Sequence, residues 1–171
     1  SNKRKGPVFL EIPLDIQGAP VKKINKIAKI TKNKNVTRSK TIQSEIKRII
    51  KLINTSKRPA ILIGAGVKRS WALKFKNKIK ELKIPLFVTW NASDRIGSDY
   101  SNYFGKPNTW GQRYSNIIIQ QSDLLIALGT RLGLQQTGFN WKEFLKNGDI
   151  VHVDIDKKEL EKKHPKTKYK I

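Results

Sequence analysis

Small, polar and charged residues follow the apolar, strand-length stretches of this sequence. Four such groups occur: Gly64-Ala65-Gly66, Thr89-Trp90-Asn91, Gly129-Thr130-Arg131 and Asp154-Ile155-Asp156. Glycine lets the backbone approach a ligand closely, arginine can clamp a diphosphate, and carboxylates accept hydrogen bonds from ribose hydroxyl groups. Ligands of parallel sheets bind beyond the carboxyl ends of the strands, where these groups would lie. The residue types therefore favour a nucleotide as the ligand.

The glycine pair Gly64-x-Gly66 has two interpretations. The N-terminus of a helix that would begin near Ser70 points free backbone N–H groups at a phosphate, and Arg69 adds a positive charge there. However, Arg69 occupies the position of the third glycine in the dinucleotide-binding fingerprint. The same residues therefore fit a tight turn between a strand and a helix equally well.

The charged groups also have alternative roles. Arg131 either binds a diphosphate or pairs with Asp123 or with a neighbouring domain. Asp154 and Asp156 either accept hydrogen bonds from ribose or, in the case of Asp156, cap the helix that follows. Alternation places His152 on the same strand face as these two carboxylates, and we favour a structural role for the three over a metal site.

No catalytic constellation is visible in the sequence. The absence of cysteine excludes disulfides, thiolate metal sites and cysteine nucleophiles. The sequence also contains no serine in a nucleophile elbow, no Walker lysine and no pair of carboxylates spaced to face a cleft. It therefore predicts a binding cleft without catalytic activity of its own.

The elements that would position these groups alternate regularly from Pro59 onward. The predicted strands are 60–63, 86–89, 124–128 and 150–155, and the predicted helices are 41–54 with Thr41 as N-cap, one capped by Ser70, 112–121, and a short amphipathic segment at 139–145. Continuously apolar strands that alternate with helices are typical of a parallel sheet covered on both faces. We therefore expect a Rossmann-like, doubly wound, mainly parallel α/β fold with helices on both faces.

The charge is unevenly distributed along the chain. The 171 residues include 36 Lys and Arg against 13 Asp and Glu, a net charge of +23. Residues 1–83 carry 23 basic and 4 acidic side chains, 84–156 carry 6 and 7, and 157–171 carry 7 and 2. Of the basic residues 28 are lysine, and Ile and Asn, which share A/T-rich codons with lysine, number 22 and 12. Compositional bias therefore explains the charge better than nucleic-acid binding, which needs arginine forks or stacked aromatic residues.

The chain divides into three predicted regions. Residues 1–17 contain the apolar run 8–12, stopped by Pro13, which predicts a terminal strand left from a preceding domain. Residues 18–40 have the composition of a linker, although Val21, Ile24, Ile27 and Ala28 allow a turn or two of helix. Residues 41–171 form the main domain. Because the sequence lacks Met, a signal peptide and any membrane-length apolar run, we expect a piece of a longer cytoplasmic protein.

Four motifs in a characteristic order cover nearly the whole chain. They are Gly6 to Gln17, Arg58 to Val67 with Ile84 to Thr89, Ser122 to Leu132, and Ile150 to Asp156. The first resembles the strand that closes the pyrimidine-binding domain of thiamine-diphosphate-dependent enzymes. The others resemble the central domain of the same enzymes, and the acetolactate synthase (acetohydroxyacid synthase) large subunits are the most similar group.

The resemblance implies a function for the parent enzyme. Such a parent decarboxylates a 2-keto acid, for example pyruvate, and ligates the product to an acceptor. Thiamine diphosphate and Mg²⁺ bind to its pyrimidine- and diphosphate-binding domains, which flank the central domain in the same chain, and the parent is a homodimer or homotetramer. The central domain alone would be inactive and would hold FAD, ADP or no nucleotide. The contacts that the resemblance implies are Gly64, Ala65, Gly66, Gly129, Thr130, Arg131, Asp154 and Asp156.

The sequence departs from the family pattern at two places. Residues 105–111 read GKPNTWG where the family often has "GM.G.hG", and residues 131–138 lack the acidic pair of "RFDDR". Two other functions remain as alternatives. One is a basic nucleic-acid-binding module on a Rossmann-like core, and the other is an NAD-dependent enzyme resembling deacylases of the same topology, for which no catalytic histidine is apparent.

Overall fold

The computed structural model describes residues 7–20 and 40–171, with side chains in the second part from residue 42 onward. The chain divides into two compact units, Ser1–Arg38 and Ser39–Ile171. The predicted helical turns at 21–28 lie outside the described residues. Within the described residues, no helix combines the length and the apolar character that crossing a membrane requires.

The described part of the first unit contains one short helix and no strand. Residues 7–13 have no regular structure, and helix α1 (Leu14–Gln17) follows Pro13, whose carbonyl oxygen accepts hydrogen bonds from Ile16 and Gln17 at 3.1 Å. The predicted strand at 8–12 is therefore wrong for this structure. A strand needs a hydrogen-bonding neighbour, and no backbone partner for residues 8–11 occurs among the described residues of this unit.

The second unit is built around one parallel sheet. Its strands are β1 (Pro59–Ile63), β2 (Leu86–Val88), β3 (Leu124–Leu128), β4 (Asp149–Val153) and β5 (Tyr169–Lys170). Its helices are α2 (Lys40–Thr55), α3 (Arg69–Lys74), α4 (Lys76–Lys80), α5 (Arg113–Gln121), α6 (Leu134–Thr137) and α7 (Lys157–Leu160), and 3₁₀ turns lie at Trp90–Ala92 and Trp141–Glu143. The strand order is β2-β1-β3-β4-β5, and every pair is parallel. The predicted α/β fold with a parallel sheet is confirmed.

Apolar side chains cover both faces of this sheet. On one face, Ile61 and Ile126 pack in a cluster with Ile79 of α4 and with partly buried side chains of α2. On the other face, Leu62 and Phe87 pack in a cluster with Ile119 of α5. Burial of each such large side chain contributes about 1.5–3 kcal/mol. Because both faces are covered, the strands are continuously apolar instead of alternating.

Several helix and strand boundaries differ from the predictions. Helix α2 already includes Thr41, which is therefore not its N-cap. In place of the predicted Ser70-capped helix, the structure has two short helices, α3 and α4, which meet at Phe75, where φ is −104° and ψ is 15°. The N-cap of α3 is Lys68, not Ser70. The predicted apolar face of this helix is not uniformly buried, since Trp71 is 44% exposed while Ile79 is 5% exposed. Strand β4 ends at Val153, so the aspartates that follow lie beyond the sheet ladder.

Candidate functional site

The carboxyl ends of β1 and β3 lie side by side at the centre of the sheet. The chain passes from β1 to β2 on one side and then returns to β3 on the other side. The strand order therefore reverses between β1 and β3, and ligands of doubly wound sheets bind beyond the carboxyl ends of the strands at such a point. The structure thus places Gly64-Ala65-Gly66 and Gly129-Thr130-Arg131 next to each other, an adjacency that follows from the pairing of β1 with β3.

The glycines of these two loops are in direct backbone contact. The N–H of Gly64 donates to the carbonyl oxygen of Leu128 at 2.8 Å, and the N–H of Gly66 donates to that of Gly129 at 2.9 Å. A Cβ on Gly64 would overlap the carbonyl oxygen of Gly129, and one on Gly66 would lie 2.8 Å from it. The close approach of the two loops therefore requires glycine at both positions. Neither the phosphate-binding interpretation nor the tight-turn interpretation of the sequence included this reason.

The backbone conformation at position 129 also requires glycine. Its φ is +57°, and a Cβ there would lie 2.8 Å from the backbone nitrogen of Val67. Residues with a side chain rarely adopt this left-handed conformation. Gly64 is buried by the contact, whereas Ala65 and Gly66 at the crest of the first loop are exposed.

An arginine from the loop after β2 supports the crest of the β1 loop. Arg95 Nε donates to the carbonyl oxygen of Val67 at 2.7 Å, and Nη2 lies 3.4 Å from that of Ala65. Its guanidinium also pairs with Asp94, whose other oxygen lies 3.6 Å from Nε of Arg69. The side chain of Arg95 is 12% exposed, whereas that of Arg69 is 67% exposed.

Neither Arg95 nor Asp94 is recognisable from the sequence as a residue of the site. Both lie in a long polar loop that carries no recognisable motif. The only sequence signal for them is their position after β2, the strand that neighbours β1. This signal can be used only when the order of the strands in the sheet is known. Arg69, in contrast, was identified, and it remains exposed at the start of α3.

Thr130 and His152 connect the β3 loop to the interior of the sheet. Thr130 is 7% and His152 is 2% exposed, and Nε2 of the histidine lies 2.7 Å from the carbonyl oxygen of Thr130. Because that oxygen only accepts, Nε2 must carry the proton and donate it. The contact gives His152 a structural role, and no cluster of three metal-ligating side chains exists among the described residues.

Arg131 is paired with the helix that follows β4. Its Nε lies 3.4 Å from Oε1 of Glu159, and Lys162 Nζ donates to the carbonyl oxygen of Arg131 at 2.6 Å while pairing with the same glutamate. The Arg131 side chain is nevertheless 63% exposed. The alternative pairing of Arg131 with Asp123 is wrong, because Asp123 lies at the opposite edge of the sheet.

Asp154 and Asp156 form the turn that begins helix α7. Asp154 Oδ1 accepts a hydrogen bond from the N–H of Asp156 at 2.9 Å, and Asp156 Oδ1 accepts one from the N–H of Lys158 at 3.1 Å. The capping role predicted for Asp156 is confirmed. Both aspartates follow β4, which neighbours β3 but not β1, so they lie one strand further from the glycine loop.

Asp123 organises the opposite, amino-terminal edge of the sheet. Its carboxylate accepts hydrogen bonds from the Ser56 hydroxyl, from Lys57 N at 2.8 Å and from Arg58 N at 2.9 Å. Burial works to raise the pKa of this carboxyl, but the hydrogen bonds outweigh burial, and the pKa lies below its ordinary value. The carboxylate therefore remains ionised and holds the starts of β1 and β3 together.

Comparison with known proteins identifies the family. The family model described as "Thiamine pyrophosphate enzyme, central domain" matches residues 46–171. The probable acetolactate synthase large subunit of Methanococcus aeolicus is 34% identical over 163 residues, and the acetolactate synthase isozyme 1 large subunit of Escherichia coli (strain K12) is 31% identical over 159 residues. Each alignment covers 93% of this chain and 27% of the relative. The chain thus spans about a quarter of the length of these relatives, and it belongs to the thiamine pyrophosphate enzyme family as a central domain.

Proposed function

We propose that this chain is the central domain of an acetolactate synthase-like enzyme that decarboxylates a 2-keto acid and ligates the product. The alignment with large subunits over 93% of the chain carries this proposal. In the parent, thiamine diphosphate supplies the carbon nucleophile of the reaction, and the flanking domains bind it with Mg²⁺. Residues 1–17 would close the preceding domain, 18–40 would form a linker, and the parent would be a cytoplasmic homodimer or homotetramer.

The role of the central domain itself is to bind a nucleotide, FAD or ADP, at the carboxyl edge of β1 and β3. The exposed crest at Ala65 and Gly66 lets a ligand approach the backbone. Arg69 and Arg131 supply positive charge, and both remain more than half exposed although each has a carboxylate neighbour. Asp154 and Asp156 supply acceptors for hydroxyl groups. The N–H groups of Gly64 and Gly66 are engaged within the protein, so the diphosphate contacts fall to the arginines.

Calorimetric titration of the 171-residue chain with ADP and FAD tests the nucleotide site. We expect Arg131→Ala to weaken both affinities by about 10–150-fold, because a hydrogen bond to a charged group contributes about 1.5–3 kcal/mol. Arg48→Ala is the matched control, because Arg48 is a comparably exposed arginine, 56%, on α2. Absence of binding at millimolar nucleotide would refute the site.

The reading frame that surrounds the chain tests the parent's activity. We expect a cofactor-activating glutamate in the preceding domain and a Gly-Asp-Gly…Asn motif in the following one, because these groups bind and activate thiamine diphosphate in enzymes of this type. The isolated chain should show no turnover of pyruvate. If either motif is missing from the surrounding frame, the proposed decarboxylase activity is wrong.

A further inference from the structure

The backbone around Arg131 is held in place from several sides. The carbonyl oxygen of Thr130 accepts the hydrogen bond from His152, and Leu132 is 1% exposed within the apolar cluster on the α5 face of the sheet. The carbonyl oxygen of Arg131 accepts a further hydrogen bond from Lys162 Nζ at 2.6 Å. The start of the Arg131 side chain is therefore fixed, and the freedom that remains is rotation about its own side-chain bonds.

Glu159 restricts that rotation. Its Oε1 atom lies 3.4 Å from Nε of Arg131, and its side chain is 14% exposed. Helix α7, which carries Glu159, is anchored by its N-cap Asp156. The side chain of this cap accepts a hydrogen bond from the N–H of Lys158, and its carbonyl oxygen accepts one from the N–H of Glu159. The carboxylate is thus a fixed point beside a long side chain that has several rotatable bonds.

The contact with Glu159 runs through the inner nitrogen of the guanidinium. Within the part of the chain that the structure describes, neither Nη1 nor Nη2 of Arg131 donates a hydrogen bond to the protein, and the side chain is 63% exposed. A guanidinium binds phosphate oxygens with two parallel N–H groups. Arg131 therefore meets Glu159 at Nε and keeps its outer N–H groups available for an anion.

Lys162 compensates the charge of the same carboxylate. Its Nζ lies 2.5 Å from Oε2 of Glu159, whereas Arg131 faces Oε1. Two positive charges and one negative charge thus lie together, and one positive charge remains for a ligand. Without the lysine, the whole carboxylate charge would be left to attract the guanidinium and to repel an approaching phosphate.

We propose that Glu159 is a positioning residue of the nucleotide site: it orients Arg131 for the diphosphate, while Lys162 cancels its charge. This inference rests on the proposed nucleotide site and adds what prepares its arginine. Because the guanidinium is held before the ligand arrives, binding loses less side-chain freedom. The ligand chemistry is a diphosphate group, which either a nucleotide such as ADP or free pyrophosphate supplies.

A comparison of Glu159→Ala with Glu159→Gln tests the positioning role. Both substitutions remove the negative charge, but only glutamine keeps an oxygen that accepts a hydrogen bond from Nε of Arg131. Ordering one long side chain on binding costs about 0.5–1.5 kcal/mol, which corresponds to about 2–12-fold in affinity. In calorimetric titrations of the 171-residue chain, we therefore expect Glu159→Ala to bind ADP and pyrophosphate about 2–12-fold more weakly than Glu159→Gln.

Two backgrounds show whether Glu159 acts through the arginine. When Arg131→Ala is added to both variants, their affinities for ADP should become equal, because the group that Glu159 orients is gone. Glu45 provides the matched control, since it pairs with Arg48 at 3.8 Å on α2, outside the site. Glu45→Ala and Glu45→Gln should bind both ligands equally well.

Lys162→Met tests the compensation of charge. We expect this substitution to weaken pyrophosphate by about 2–5-fold more in the wild type than in Glu159→Gln, because only the wild type has a carboxylate that recaptures the guanidinium. Added salt should reduce the difference. This comparison does not use Glu159→Ala, so it tests the proposal even if that variant fails to fold, which thermal unfolding followed by circular dichroism would show.

The outcomes separate the positioning role from the nucleotide site. Weaker binding to both ligands in Glu159→Ala than in Glu159→Gln supports the role, and weaker binding to ADP alone would overturn it, because the contact would then not involve the diphosphate. If both ligands bind the wild type but the alanine and glutamine variants have equal affinities, the positioning role is overturned and the nucleotide site stands. Equal losses from Lys162→Met in both backgrounds would overturn the compensation of charge. If no nucleotide binds the wild type, the proposed function itself fails.

Discussion

The amino-terminal and carboxyl-terminal edges of the same parallel sheet are held together by different chemistry. At the amino-terminal edge, the carboxylate of Asp123 joins the segment before β1 to the start of β3. At the carboxyl edge, Gly64 and Gly129 join the same two strands through backbone atoms alone. The first edge uses side chains for stability, whereas the second leaves the side chains of Arg69 and Arg131 more than half exposed.

The carboxylate at one edge and the glycine contacts at the other leave different amounts of free space. A carboxylate that accepts several hydrogen bonds closes an edge and satisfies the free N–H groups there. Glycine contacts bring two loops together without occupying the space in front of them. Such an arrangement suits the proposed nucleotide site, because ligands of parallel sheets bind at the carboxyl ends of the strands.

The largest effect is expected from Gly64→Ala. The added Cβ would overlap the carbonyl oxygen of Gly129, which is backbone and cannot rotate away. We expect a loss of about 3 kcal/mol in the free energy of unfolding, measured with denaturant. Gly133→Ala is the control, because a Cβ there meets nothing within 4 Å. Equal stability of the two variants would show that the loops do not depend on the glycine contact.

A smaller loss is expected from Asp123→Asn at the other edge. A neutral amide replaces the charged acceptor of three hydrogen bonds. The free energy of unfolding should therefore fall by about 2 kcal/mol at neutral pH. Because the pKa of Asp123 is lowered below its ordinary value of 3.8 in the folded protein, its contribution is present above that value and is lost as the pH falls through the folded pKa.

The stability difference between wild type and Asp123→Asn should therefore narrow as the pH is lowered from neutral to about 3. Asp99→Asn serves as a comparison, since hydrogen bonding to Lys80 lowers the pKa of Asp99 as well, but on an exposed surface. A difference that stays constant with pH would exclude the carboxylate as the stabilising group.

Arg95→Gln should have a moderate effect that is confined to the carboxyl edge. The substitution removes the hydrogen bonds to the carbonyl oxygens of Val67 and Ala65. We therefore expect the free energy of unfolding to fall by about 1 kcal/mol and the backbone amides of residues 64–68 to exchange faster. Arg69→Gln, which replaces an exposed side chain 3.6 Å from Asp94, should leave the exchange unchanged. Faster exchange at the start of β3 instead would indicate that Arg95 acts on the whole sheet.

The smallest effect is expected from Lys168→Met. Lys168 Nζ lies 2.7 Å from Asp149 Oδ2, near the start of β4, and this contact raises the pKa of the lysine. The contribution is therefore present below the ordinary lysine pKa of 10.5 and is lost as the pH rises through the folded value. Solvent screening makes it small, and added salt should abolish it. A loss as large as that of Asp123→Asn would contradict the larger contribution expected from a carboxylate that accepts three hydrogen bonds.

Strands β1 to β4 could be read from the sequence, because buried parallel strands form continuous apolar runs. Strand β5, only Tyr169 and Lys170, has no such run and was not predicted. The strands at 60–63 and 124–128 and the helix at 112–121 were predicted to within a residue or two. The break at Phe75 was missed, because local periodicity continues through it. The strand predicted at 8–12 failed because apolar character alone does not provide a hydrogen-bonding partner.

The candidate site was only partly predictable for a similar reason. Glycines and charged residues after strands are visible in the sequence, so Gly64 and Arg131 could be named. Arg95 could not be placed beside the glycine loop from the sequence, because it belongs to a long loop whose path depends on hydrogen bonds to residues that are distant along the chain.

By itself, the sequence of this protein determined the fold class, the family resemblance and the approximate positions of strands β1 to β4, because these depend on local composition and on the order of motifs. Only the tertiary structure decided what the glycines contact, which carboxylate pairs with Arg131, and which carbonyl oxygens Arg95 binds. Those features depend on which strands lie next to each other, and strand order results from the packing of the whole chain.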